Sequence, residues 1–293
     1  MKYEISHVTT YRYVGAVSSA ACMLRLRPRD IRGQTCLSSQ LTISPKASEL
    51  SELTDFFGNR TAAFRLETSH RELSIAAVSV VEIDRPAHPF PGLTPAWENV
   101  RAMAVDSRRL DADSPVHFLF ESKLVSLHDA VTAYGADLFS SGRPILDAAI
   151  ALMSRITHDF KYKKDATEVT TSVAEAFESR AGVCQDFAHI MISCLRGLGL
   201  PAAYVSGYIR TVAPPGQKKL EGADASHAWV SVWCGPEFGW IDLDPTNDML
   251  ISDDHIIVAR GRDYSDVSPV DGVFVGSGTH DLLVNVDVNP LGI

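Results

Sequence analysis

Three residues whose types and order could carry out acyl transfer stand out in a chain of 293 residues: Cys184, His227 and Asp244, with Asp242 two positions before the last. A cysteine attacks only as its thiolate, a histidine takes and returns the proton, and a carboxylate holds the imidazole in one tautomer and stabilises its charge. Cys184 follows Gly182 and opens an apolar repeat of helical spacing, Phe187, Ile190, Met191, Cys194, Leu195 and Leu198, which stops at Gly199 and Pro201. The spacing predicts a helix with Cys184 in its first turn. Unpaired N–H groups and the positive end of the helix dipole there favour the anionic form of the sulfur, and the same N–H groups can hold an oxyanion.

The base and the acid need elements of their own. Ala225 to Trp233 alternates like a strand and carries His227 near its start, and after a Gly235-Pro236 turn the run Gly239 to Thr246 reads as a second strand ending in a carboxylate. Two adjacent antiparallel strands would set His227 beside an Asp, facing the start of the Cys184 helix. Asp242 and Asp244 lie on one strand face, so the residues alone leave both as orienting acids. Gln185 has two readings, an oxyanion donor or a solvent-directed side chain. Tyr162 also has two, a hydroxyl aimed at the site or a half-buried strand aromatic. Trp229, Trp233 and Trp240 read as core aromatics, of which one, Trp229 for instance, could line an acyl cleft. His189 lies five positions after Cys184, off its helical face, and reads as packing. The loop 214–222, between two strands and close to His227, is long enough to line or cover a cleft.

The runs GVCQDFAH at 182–189, SHAWVSVW at 226–233 and GWIDLDPTN at 239–247 resemble, in this order, the core of the transglutaminase-like superfamily, and the match extends through 198–208. In that family the acid is the Asp that follows a Trp and precedes a small residue and Thr. The resemblance therefore gives Asp244 the role and keeps Asp242 as the alternative. The runs 9–13, 24–29 and 55–59 resemble the N-terminal β domain that accompanies bacterial transglutaminase-like proteins. The resemblance implies a Cys-His-Asp triad working through a thioester on a peptide or protein substrate. Hydrolysis is the expected outcome for a compact chain without the long extra domains of crosslinking enzymes. Protein-glutamine transamidation by the same triad, or a non-catalytic peptide-binding module, are the alternatives. The implied fold is α+β: an N-terminal antiparallel β-sandwich followed by a transglutaminase-like, papain-like domain of helices on an antiparallel sheet.

Patterning along the chain agrees with that division. Residues 1–85 read as β, with strands expected at 3–13, 22–27, 37–44, 61–67 and 73–83, separated by turn residues. Residues 86–97 concentrate proline without a period and read as a linker. Residues 98–293 make the second domain. Helices are expected to open at 94–95, at Ser114-Pro115, at Ser126 and at Arg143-Pro144, and a capping box pairs Ser172 with Glu175. Two C-terminal strands, near 267–276 and 280–288, are expected to close the sheet that carries His227. The arginines at 25, 27, 29 and 32 alternate like a solvated strand edge, a reading preferred to an anion site.

Composition narrows the partners. A net charge of −9 without a basic patch argues against nucleic acid and against an anionic membrane. No apolar run reaches membrane-spanning length and the first residues lack the apolar core of a signal peptide, which makes the cytoplasm the expected location. The five cysteines show neither CxxC nor zinc-ligand spacing, and no EF-hand-like loop is present, so the reading includes no metal and no cofactor. Four of the cysteines are expected to be small buried hydrophobes.

Overall fold

The structure is a computed structural model and describes residues 1–164, 166–211 and 225–292. The loop at 214–222 lies outside the described residues.

The N-terminal region contains β1 (Lys2–Leu24), β2 (Gln34–Ser44), β3 (Glu49–Thr54), β4 (Arg60–Leu66) and β5 (His70–Ile83). Strict alternation buries Tyr3, Ile5, His7 and Thr9 on one face of β1. The strands expected at 3–13 and 22–27 are one continuous element. Its first half pairs with β5 and its second half with β4, within one antiparallel sheet in the order β2-β5-β1-β4-β3. Tyr13, Val17, Ala20 and Leu24 of β1 pack with Phe64 and Leu66 of β4 and Leu73, Ile75 and Ala77 of β5 in one core. β3 carries no pattern in the sequence because all of its side chains are exposed; its ladder with β4 holds it in place.

The second region follows as α1 (Trp97–Val105), a short 3-10 turn (Pro115–Phe118), α2 (Asp129–Ala136), α3 (Ile145–Asp159), β6 (Lys161–Tyr162), α4 (Val173–Ser179), β7 (Ala181–Gly182), α5 (Cys184–Gly197), β8 (Ala202–Ile209), β9 (Ala225–Trp233), β10 (Trp240–Asp244), β11 (Met249–Leu250) and β12 (His255–Gly261). The last five strands form an antiparallel sheet in the order β11-β10-β9-β8-β12. Every side chain from Gln185 to Arg196 of α5 is buried, because α2, α3 and α4 pack around it on one side and β8 and β9 on the other. Ile190, Met191 and Leu195 of α5 share one core with Leu152 and Ile156 of α3 and Val230 and Val232 of β9. Each such side chain contributes about 1.5–3 kcal/mol on burial, which makes α5 the fixed axis of this half. The capping box of α4 forms as expected: Glu175 N–H donates to Ser172 Oγ at 3.3 Å, and Ser172 N–H to Glu175 Oε2 at 2.9 Å.

After a single-turn α6 (Tyr264–Val267), the chain returns as β13 (Val270–Gly276) and β14 (His280–Leu291). These strands do not close the sheet that carries His227, as the sequence led us to expect. Both pair antiparallel with β1, β14 along Lys2–Tyr13 and β13 along Val17–Leu24. Alternation shows that a segment is a strand but not which edge accepts it, and β1 is long enough to accept both. Tyr3, Ile5, Val81, Ile83, Val286 and Val288 from this side pack against Tyr208, Ile256 and Val258 of the other sheet, so the two regions share a core. Among the described residues no helix is long and apolar enough to cross a membrane.

Candidate active site

Cys184 is the first residue of α5, and the chain that delivers it is tightly constrained. β6 and β7 pair in parallel, Tyr162 opposite Gly182, immediately before it. Asp186 reaches back so that its Oδ2 accepts from Val183 N–H at 2.8 Å and from the Thr167 hydroxyl at 2.6 Å. A Cβ on Gly182 would lie 2.5 Å from that carboxylate, so this position requires glycine. One turn earlier Arg180 adopts a left-handed φ of 51°. Its guanidinium lies over the rings of Phe177, Phe160 and Tyr134, with 4.1, 4.7 and 4.9 Å to the centroids, which offsets the backbone strain.

β9 and β10 pair Trp233 with Trp240 and Ser231 with Asp242. Continuing that register puts Asp244 across from Trp229, one diagonal step from His227, whereas Asp242 is a further two residues away. The side chains follow the register: His227 Nε2 donates to Asp244 Oδ2 at 2.7 Å. Asp242 instead accepts from the Trp229 indole at 3.4 Å. With Nε2 committed to Asp244, Nδ1 is the nitrogen left for Cys184, which lies near enough to help raise the His227 pKa.

Asp244 is fully buried and saturated with donors. Oδ1 accepts from the N–H groups of Thr246 and Asn247 at 2.9 and 3.2 Å, and Oδ2 accepts from His227, from Asn247 Nδ2 at 2.7 Å and from His255 Nε2 at 3.2 Å. Burial by itself raises a carboxyl, but these hydrogen bonds and the neighbouring imidazole outweigh it and hold Asp244 well below the usual carboxylate range. Burial likewise opposes a charge on His227. Its bonds to Asp244 and Cys184 prevail and push it up to about 10.

Sequence reasoning missed His255 and Asn247. Asn247 ends the third motif, and its place three residues after Asp244, where a side chain can fold back on the turn, was a readable signal. His255 offered none: it is the first residue of β12, and only the tertiary fold brings it to Asp244. Ser252 N–H points at His255 Nδ1 at 3.2 Å, so that nitrogen carries the lone pair and the proton sits on Nε2. His227, Asp244 and His255 bring three ligand-type atoms within 4.8 Å of one another. In this arrangement the two Nε2 atoms both bond the Asp244 carboxylate.

The remaining candidates divide. Tyr162 is half exposed, edge-on to Phe187 at 6.4 Å, and close enough for the Cys184 sulfur to act on its hydroxyl. Gln185 is buried and donates from Nε2 to the Val169 carbonyl at 3.0 Å, tying down the segment before α4. Trp229 is fully buried beneath His227 and His255, so it does not line an open cleft. A Cβ on Gly207 of β8 would overlap the Trp229 ring and the Ile256 carbonyl, so glycine there lets the indole lie across the strand. His189 is packing, as read: it accepts from Tyr264 N–H at 3.3 Å and lies against Tyr204.

A buried helix that presents a cysteine at its N-terminus to a histidine and an aspartate on an antiparallel sheet is the architecture of a transglutaminase-like core. Family models agree. Residues 132–245 match the transglutaminase-like superfamily and residues 3–82 the bacterial transglutaminase-like N-terminal region. The chain belongs to the transglutaminase-like superfamily. It is 38% identical to the Mycobacterium tuberculosis protein Rv2569c, over 99% of this chain and 93% of that protein. A protein-glutamine gamma-glutamyltransferase of Pseudomonas aeruginosa is 38% identical over 100 residues, which is 33% of this chain and 15% of that protein. A crystal structure described as "a Putative Cysteine Protease from Cytophaga hutchinsonii" shares the fold with a TM-score of 0.75 at 22% identity, covering 100% of this chain and 92% of that one.

Proposed function

We propose that the protein is a thiol acyl-transfer enzyme that hydrolyses a peptide or amide bond through a thioester. The observation that carries this reading is His227, bonded at 2.7 Å to an ionised and fully buried Asp244 and pushed up both by that carboxylate and by the nearby Cys184. The Cys184 sulfur attacks the carbonyl carbon, and N–H groups at the start of α5 hold the oxyanion. The C–N bond breaks as His227 gives its proton to the leaving amine, and water then attacks the thioester with His227 as base. Asp244 keeps the imidazole in the tautomer that directs Nδ1 to sulfur. We take water as the acyl acceptor because it needs no second binding site, whereas transamidation needs one for an amine. The similarity to the Pseudomonas glutamyltransferase keeps transamidation as the second reading.

Iodoacetamide labelling from pH 5 to 9, mapped by mass spectrometry beside His227→Ala, tests the reading. Burial pushes Cys22 up to about 11 and Cys194 and Cys234 up to about 12, and raises Cys36, so four of the five thiols resist labelling near neutrality. Selective labelling of Cys184 that persists at low pH and falls in the variant is the expected result; slow, uniform labelling in both proteins would leave only a binding module. Incubating an amide substrate with a fluorescent primary amine then separates the acceptors: free acid indicates hydrolysis, and covalent incorporation of the amine indicates transamidation.

A further inference from the structure

We propose that His255 is a positioning residue for this reaction: an imidazole that, held by the N-terminal region, donates from Nε2 to aim the Asp244 carboxylate at His227. The proposal rests on the acyl-transfer reading of Cys184, His227 and Asp244. Both nitrogens of His255 are committed. Ser252 presents its N–H at 3.2 Å and its hydroxyl at 3.3 Å to Nδ1, and a backbone N–H can only donate. The ring's one proton is thereby assigned to Nε2, 3.2 Å from the same Asp244 oxygen that accepts from His227. The ring is fully buried, edge-on to Trp229 at 5.4 Å, and cannot turn without breaking both contacts.

The N-terminal region fixes the backbone on either side of this ring. Arg85, just past β5, donates to the carbonyls of His255 and Ser252 at 2.8 and 3.2 Å. Gln34 of β2 takes the N–H and the carbonyl of Ile257, both at 2.8 Å, and its Oε1 lies 3.3 Å from Arg85. The first residues of β12 are therefore pinned by two side chains from outside their own sheet, and the imidazole between them is set relative to Asp244. The charged groups around it are Asp244 and His227 from the sheet, Arg85 from the N-terminal region, and Asp254 beside it, which is paired with Arg210 at 2.7 Å and bonded to Tyr3 at 2.9 Å. The N-terminal β region thus serves the site through the aim of its carboxylate and without touching substrate.

The test uses the full chain with iodoacetamide as the probe. In His255→Phe the ring shape remains but the donor is lost. Asp244 is then free to swing, the imidazolium is less well supported, and the low-pH end of the range of rapid Cys184 labelling moves up, with a fall of about tenfold at pH 6 if it moves by one unit. His255→Gln can still donate to Asp244 and is expected to restore most of that range, and Arg85→Met should narrow it in the same direction by less. A role confined to folding would lower the labelled fraction equally at every pH and leave that low-pH end in place, which would overturn the proposal, as would identical profiles for the Phe and Gln variants. Should the variants not fold, the wild-type protein decides: nitrogen-15 correlation spectra are expected to show His255 protonated on Nε2, with Nδ1 accepting. A neutral ring with its proton on Nδ1 overturns the proposal even if Cys184 proves activated. Unselective labelling of Cys184 in the wild type, with the His255 tautomer as expected, would sink the acyl-transfer reading instead.

Discussion

The two halves of the molecule each bury a histidine and drive it in opposite directions. His7, on β1, bonds the Thr9 hydroxyl and the Tyr208 hydroxyl, both at 2.9 Å; with no charge beside it, burial pushes it down to about 4. His227 is nearly as buried, but a carboxylate 2.7 Å away and the thiol on its other side push it up to about 10. Burial amplifies whichever partner is present. Neutral hydroxyls make a histidine part of the packing, and an anion with four further donors makes one that keeps its proton beside a thiol. A buried histidine is therefore not a sign of chemistry until the charge next to it is known.

Replacing that charge should collapse the difference. In Asp244→Asn the shape remains while the anion goes, and His227 should fall below its ordinary value as His7 does. Turnover is expected to drop by about 10⁴-fold, with Cys184 labelling at pH 6 falling alongside; a variant that keeps its labelling profile would show that the carboxylate does not set the imidazole.

The converse change is His7→Leu, which leaves two buried hydroxyls without partners. It should cost about 1–3 kcal/mol of stability, read from the urea midpoint, while the pH profile of Cys184 labelling stays where it was. A shifted profile would mean that the shared core transmits more than packing.

Stability should also record the asymmetry as a function of pH. The folded His227 value lies above its unfolded value of 6.5, so its contribution is fully present below about pH 6.5 and is lost as pH rises toward 10. His7, depressed to about 4, acts with the opposite sign: its contribution is present above 6.5 and fades as pH falls toward 4. Unfolding free energies of wild type minus His227→Gln should therefore decline from pH 7 to 10, and those of wild type minus His7→Leu should decline from pH 7 to 4. The smallest effect is expected at the exposed Arg12–Glu72 pair, 3.1 Å apart on the N-terminal sheet, where Arg12→Ala should change stability by no more than about 0.5 kcal/mol.

Much of the fold and of the candidate site is local, and so it was legible. The spacing of Phe187, Ile190, Met191, Cys194 and Leu195 announced α5 with Cys184 in its first turn, and the Ser172–Glu175 pair announced α4, because helix periods and caps depend on residues three or four apart. The alternation around His227 announced β9 for the same reason. Proline at 86, 89, 91 and 95 marked where strands give way to helices, since proline cannot donate to a ladder.

What the tertiary structure alone decided depends on register and on which edge meets which. Asp244 and Asp242 are equivalent in pattern, and only the β9–β10 register puts one of them beside His227. The C-terminal strands alternate in a way that suits either sheet, and they join β1 because its long edge was open to them. Trp229 read as a core aromatic that could also line a cleft, and Gly207 leaves the room in which it lies buried. His255 stands 11 residues beyond Asp244 in no repeat and no motif, and meets its carboxylate only in the tertiary fold, on a strand that Gln34 and Arg85, from the far end of the chain, also bond. Local chemistry is written at short range along the chain; the partners that tune it are chosen by long-range pairing, which leaves no periodic trace.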